Sequence, residues 1–361
     1  MAGFSRDIGG SLRRHSRPRP SHDPGRAEGG PAPRRYDDRP VKLAAVGPRS
    51  FLRIAQLAVA VVLLNIVTGA AVRLSDSGLG CPDWPTCARH HLTPPLSFHP
   101  AVEFGNRMVV VVLCILTVVT LVAALRRAPA RRDLVWLSGG LVAGVVGEAV
   151  LGAVVVYTKL NPYVVMAHFM LGIAVLSDAV VLALRAGREP GTGRRVPVVD
   201  RSVVGVTRAM VGVLVVALAA GTATTGAGPH AGGPGAKRVP VALADMARVH
   251  SGIVLVLVGL TLVVLVLLGR SGAPATVAER ARLLLAAMVA QGVIGYTQYF
   301  IHLPPLLVGV HVFGATVVWS AMLWFHDGLA RAPAPRADAP GAPAPALGIP
   351  ADAASPTPAP R

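Results

Sequence analysis

The chain has 361 residues, 53% hydrophobic and only 15% charged, with a formal net charge of +17 and a mean hydropathy of +0.56. Such apolarity excludes an ordinary soluble domain and a disordered chain, and its blocks of about 20 apolar residues are each long enough to cross a bilayer as a helix. The charge does not indicate nucleic acid, because it lies in tails and alternate loops with no basic patch interleaved with aromatics.

Residues 1–50 are rich in Arg, Pro, Gly and Asp and lack the apolar core of a signal peptide. Arg13-Arg14 and Arg34-Arg35 precede no hydrophobic run, so we read a disordered, basic cytoplasmic tail that touches anionic membrane lipid. Eight spans follow, at 51–73, 102–125, 134–157, 163–184, 207–226, 244–268, 283–301 and 305–326. The fold class expected is an all-α membrane protein of eight transmembrane helices, arranged as two pseudo-symmetric four-helix bundles. Residues 51–184 form the N-terminal half and 207–326 the C-terminal half, joined by a cytoplasmic linker at 185–206. Residues 327–361, dense in Ala and Pro, form a second disordered cytoplasmic tail. All but seven of the 35 Lys and Arg fall on one side of this layout; the seven are Arg73, Arg89, Arg107, Lys159, Lys237, Arg238 and Arg248. That bias places both termini in the cytoplasm.

The halves repeat. Glu148, Gly152, Pro162 and His168 correspond to Gln291, Gly295, Pro305 and His311, each 143 residues on. Asn106 corresponds to His250 at 144, a slip of one residue. Both halves start on the same membrane side, so the repeat is parallel, about an axis along the membrane normal.

Between the first two spans, GAAVRLSDSGLGCPDWPTCARHHLTPPLSFHPAVEFGNR runs from Gly69 to Arg107. Glu103, Asn106 and Arg107 share one helix face at the mouth of the second span, where an acid and a base are costly. Their bland interpretation is an interfacial ion pair that anchors the helix end. Cys81 and Cys87 fall in a loop on the outer side, where disulfides persist, and their six-residue spacing allows them to pair. A zinc site using the nearby His90 and His91 is the weaker alternative, and no C-x-x-C-H haem attachment is present. Cys114, alone in an apolar helix, reads as a small buried hydrophobe.

In the second half, His250 and His311 lie at matched depths in spans six and eight. Two facing imidazoles in a four-helix bundle are the usual way to hold a haem iron, and a simple packing pair is the alternative. In the first half the equivalents are His168 and Asn106, and an amide is a poor iron ligand. A haem there has one strong ligand and an open position, with Glu103 one turn away for proton transfer. Glu148, deep in span three, reads as a protonated, hydrogen-bonded core acid rather than a relay.

Over residues 50–326 the chain resembles the haem A synthase family, bacterial membrane enzymes that oxidise a methyl of haem O to the formyl of haem A. The resemblance rests on SGLGCPDWPTC at 77–87 and, less specifically, on GTATTGAGPHAGG at 221–233. It implies that His250 and His311 are the axial ligands of a permanent haem b, and that His168 is a ligand on the substrate-haem side. Glu103 matches the acid of a Glu-x-x-His-Arg motif needed for the oxidation, and Arg107 its arginine, suited to a haem propionate. Cys81 and Cys87 match an outer-loop cysteine pair thought to form a disulfide. The motif here reads Glu-Phe-Gly-Asn-Arg, so Asn106 replaces a histidine, and the second half has no cysteine pair. The implied partners are a haem O synthase, an electron-transfer partner and cytochrome c oxidase as product acceptor, in the plasma membrane of a bacterium. Two rivals remain: a di-haem b-type cytochrome that only transfers electrons, and a parallel-repeat transporter with helices broken at the midplane.

Overall fold

The computed structural model of the chain describes residues 44–87, 93–188, 195–233 and 235–331. His90, His91 and the greater part of both tails lie outside the described residues. Eight helices run in order: α1 Pro48–Leu74, α2 Phe98–Leu125, α3 Arg132–Tyr157, α4 Pro162–Ala186, α5 Arg201–Ala227, α6 Leu243–Arg270, α7 Ala275–Phe300 and α8 Pro305–Gly328. At 24 to 28 residues apiece, all are long and apolar enough to span a membrane, and the chain is a multi-pass membrane protein. A ribbon of two short strands, β1 Val196–Pro197 and β2 Ala330–Arg331, pairs antiparallel at one end.

Proline starts α1, α4 and α8, where its missing N–H would find no intrahelical acceptor in any case. Asn161 caps α4 by accepting the Tyr163 N–H at 3.0 Å. The turns before α4 and α8 share one backbone path. Lys159 and Leu160 take positive φ, as do His302 and Leu303, each 143 residues later. Leu160 N–H donates to the Val155 carbonyl and Leu303 N–H to that of Gln298, so the hydrogen bonds keep the same offset. The duplication inferred from side chains thus extends to main-chain conformation in these turns.

Helices α5 and α7 begin six and eight residues before the predicted spans. In α7 the segment TVAERARL carries Glu279, Arg280 and Arg282, which hydropathy rejects. A buried stripe of Val277, Ala281, Leu284 and Met288 nevertheless keeps helical period through it. The helix simply continues beyond the apolar slab. Likewise α1 takes in residues 48–50, which composition alone assigns to the tail.

In the first half α1 packs against α2 and α4, while α3 packs against both α2 and α4. In the second, α5 packs on α6, α6 on α7 and α7 on α8; α1 and α4 then join the halves through α8, with α4 also touching α5. Phe51, Leu134, Leu176, Met210, Leu284 and Phe325 are fully buried between helices. Trp136, Leu255, Phe300 and Leu306 point outward, as side chains facing lipid do. Hydroxyls inside the bundle bond their own helix: Thr120, Ser138, Thr207 and Thr261 each donate to the carbonyl four residues earlier.

At the arginine-rich end, guanidinium groups hold carbonyls at and near the helix ends. Arg131 donates to Arg185 and Arg188 carbonyls at 2.9 and 3.1 Å and pairs with Asp133. Arg280 donates to the Trp324 carbonyl and lies over its ring. Arg188 and Arg195 share Asp327. Burial, then the like charges of Arg195, Arg185, Arg280 and Arg131, push Arg188 down to about 10, so it remains charged at neutral pH.

Candidate functional site

The second half brings its two histidines together. His250 on α6 and His311 on α8 lie with ring centroids 6.4 Å apart and planes at 76°. Two metal–imidazole bonds of about 2 Å, plus about 1 Å from each nitrogen to its ring centre, need a separation of about 6 Å. The observed spacing therefore suits one iron held between them. His250 Nδ1 donates to the Ala217 carbonyl at 3.0 Å, which leaves the Nε2 lone pair for a metal. His311 Nδ1 is buried without a hydrogen-bond partner.

Each position in the matched set lies against a glycine of the preceding helix. A Cβ on Gly295 would stand 3.0 Å from His311 Cε1, and one on Gly221 3.1 Å from His250 Cε1. In the first half the corresponding distances are 3.6 Å from Gly152 to His168 Cε1 and 3.9 Å from Gly69 to Asn106 Oδ1. Side chains at Gly295 and Gly221 would crowd the two imidazoles, whereas at Gly152 and Gly69 they would make only ordinary contact. The spacing of Gly152 and Gly295 repeats in the sequence; Gly69 and Gly221 keep no common offset, and only the structure matches them.

The first half is built differently. Asn106 Oδ1 accepts the Thr68 hydroxyl at 2.7 Å, so its oxygen is engaged within the α1–α2 pair. His168 has an acid beside it: Glu148 Oε2 lies 3.0 Å from Nδ1. The donor set is one imidazole without a strong second ligand, as the composition of the pair suggests. Among the described residues there is no cluster of three or more His, Cys, Asp or Glu side chains placed to hold a metal ion.

Glu103 and Arg107 form the ion pair expected from their spacing, at 2.6 Å, and they do more than anchor a helix end. The disulfide Cys81–Cys87 closes the loop before α2. Glu103 Oε2 accepts the Cys81 N–H at 2.8 Å. Arg107 donates to the carbonyls of Cys81, Asp83, Pro85 and Thr86, at 2.7 to 3.3 Å. Buried Glu103 and half-buried Arg107 thus grip the disulfide loop by its backbone, and each charge has compensating hydrogen bonds. The Arg107 guanidinium points at this loop. Gly80 completes the grip: a Cβ there would meet the His99 carbonyl at 2.6 Å.

Residues not singled out by the sequence tie this loop to the second half. Arg73, ending α1, donates to the carbonyls of His230 and Thr225 at 2.9 and 3.2 Å. His230 Nε2 donates to the Leu303 carbonyl at 2.8 Å, and Gly78 N–H to that of Gly232 at 2.9 Å. Their acceptors are main-chain oxygens, which carry no side-chain signature. The one available signal was the glycine content of 221–233, which permits close backbone approach.

Comparison with known proteins gives a consistent result. A model described as COX15-CtaA, cytochrome oxidase assembly protein, matches residues 53–99 and 97–232. Over 140 residues the chain is 39% identical to a heme A synthase of Geobacillus thermodenitrificans, covering 37% of this chain and 43% of that protein. Over 158 residues it is 32% identical to a heme A synthase of Shewanella oneidensis, covering 39% and 46%. The matched segment thus spans less than half the length of these curated relatives. The family match takes in the disulfide loop, Glu103, Asn106, Arg107 and His168 and stops before His250 and His311, whose pairing rests on the repeat and on their geometry. With its eight spans and the loop gripped by Glu103 and Arg107, the chain belongs to the COX15-CtaA family of cytochrome oxidase assembly proteins.

Proposed function

We propose that this protein is a haem A synthase of the bacterial plasma membrane, with both termini cytoplasmic. It oxidises a methyl group of haem O to a formyl by successive hydroxylations, making haem A for cytochrome c oxidase. The observation that carries the reading is the unequal pair of histidine sites: His250 facing His311 in one half, and His168 without a strong second ligand in the other. The residues fit the groups required. His250 and His311, with Gly221 and Gly295 beside them, hold a haem b, and His168 holds the iron of the substrate. When bound, haem b supplies a one-electron outlet between substrate and an electron-transfer partner.

With water as oxygen source, taking a methyl to a formyl releases four protons and four electrons. Glu103 provides the carboxylate that moves protons at the mouth of α2, one turn from Asn106 on the same face. Cys81 N–H and Arg107 hold that carboxylate in place, so its position depends on the closed disulfide loop. Asn106, bonded to Thr68, keeps a strong ligand away from the second position. The eight helices run unbroken, unlike those of a transporter with discontinuous helices at its midplane.

The test is haem extraction and mass analysis from cells that make haem O but not haem A, with and without this protein. Haem A or its hydroxymethyl precursor is expected, and Glu103→Ala abolishes it. Bound haem b with unconverted haem O, in the presence of redox partners, would leave a di-haem cytochrome. Folded protein without haem would leave a transporter.

A further inference from the structure

We propose that Glu148 is a positioning residue for His168, fixing the tautomer and orientation of that imidazole and strengthening its donation to the substrate iron. The inference rests on the reading that His168 ligates haem O. It begins from a difference between repeat-equivalent residues. Glu148 and Gln291 occupy the same place, 143 residues apart, each one helix before its histidine. Gln291 turns its Nε2 to the main-chain carbonyl of His311, at 2.6 Å, and leaves the His311 ring alone. Glu148 instead brings Oε2 to 3.0 Å from His168 Nδ1. Its other oxygen is buried without a hydrogen-bond partner, so no competing group holds the carboxyl away.

The contact is close but off the line of a hydrogen bond, since His168 Nδ1 is itself unsatisfied. Rotation of the imidazole closes it, and a metal at Nε2 fixes the ring plane. An acceptor at Nδ1 places the proton there and leaves the Nε2 lone pair outward. When ionised, Glu148 accepts more strongly than the Ala217 carbonyl that orients His250, and that charge-assisted bond would make the ring the better donor. The two halves therefore differ twice: in the number of strong ligands, and in what stands behind the histidine.

The experiment uses the full chain in detergent or nanodiscs, loaded with haem O and reduced, with resonance Raman reading the iron–histidine stretch. Wild type should show a His168-ligated band that His168→Ala removes. Glu148→Gln, nearly isosteric, should move that band to lower frequency, raise the midpoint potential of the substrate haem and weaken haem O binding about 10- to 100-fold. The reciprocal Gln291→Glu should lower the potential of the second-half haem. If wild type shows no His168-ligated haem, the functional reading itself fails. If the band is present and Glu148→Gln leaves it and the potential unmoved, the positioning role is overturned while the functional reading stands. Should Glu148→Gln fail to fold, Glu148→Asp, which draws the carboxyl back from His168 Nδ1, decides, and an unmoved band and potential overturn the role.

Discussion

The two halves use matched positions for unequal ends. In the second, two imidazoles face each other 6.4 Å apart with glycines behind both. In the first, one imidazole has a carboxyl beside it, the other position is an amide bonded to Thr68, and the glycines stand farther off. A closed, doubly ligated iron exchanges electrons without changing ligands; a singly ligated one leaves room for reaction. On the proposed function, a few side chains set on a repeated scaffold would separate the holding of a cofactor from the handling of a substrate.

The comparison can be broken most severely at the histidines. His311→Ala or His250→Ala should remove the low-spin haem of the second half and abolish conversion, whereas His168→Ala abolishes conversion and keeps that spectrum. Reduced-minus-oxidised spectra with haem extraction distinguish the two. Next in size is Arg107→Ala, which leaves Glu103 buried without its cation and should cost about 3–5 kcal/mol locally. Thermal unfolding and faster reduction of the Cys81–Cys87 bond would report it. Gly295→Ala pushes a methyl to 3.0 Å from His311 and should cost about 1–3 kcal/mol, with a shifted haem spectrum. Gly69→Ala meets Asn106 only at 3.9 Å and should change stability by about 0.5 kcal/mol or less. Asn106→His sharpens the contrast without unfolding anything: it should turn the substrate-haem spectrum from high to low spin and slow conversion.

The spans and the positions that recur between the halves were legible in the sequence because each rests on side-chain type and spacing. The pairing of Glu103 with Arg107 followed from four residues of helix. What they jointly hold did not, since the loop offers them carbonyl oxygens that every residue possesses. Arg73 was invisible for the same reason, its acceptors lying 157 and 152 residues on. Asn106 was read as a missing ligand, and the structure adds that Thr68 engages its oxygen. The early start of α7 escaped because hydropathy measures where a helix is apolar, whereas its buried stripe runs on through charged turns.

The bonds from Arg73 to His230 and Thr225 also impose a schedule on biosynthesis. At about 5–20 residues per second, the ribosome needs roughly 8 to 30 s to travel from Arg73 to those acceptors. Once Glu103 and Arg107 have been made, and until those acceptors follow, the disulfide loop has its clamp but not its neighbours from the second half. A nascent chain halted after α4 should therefore carry its cysteine pair more open to oxidants and reductants than the finished protein.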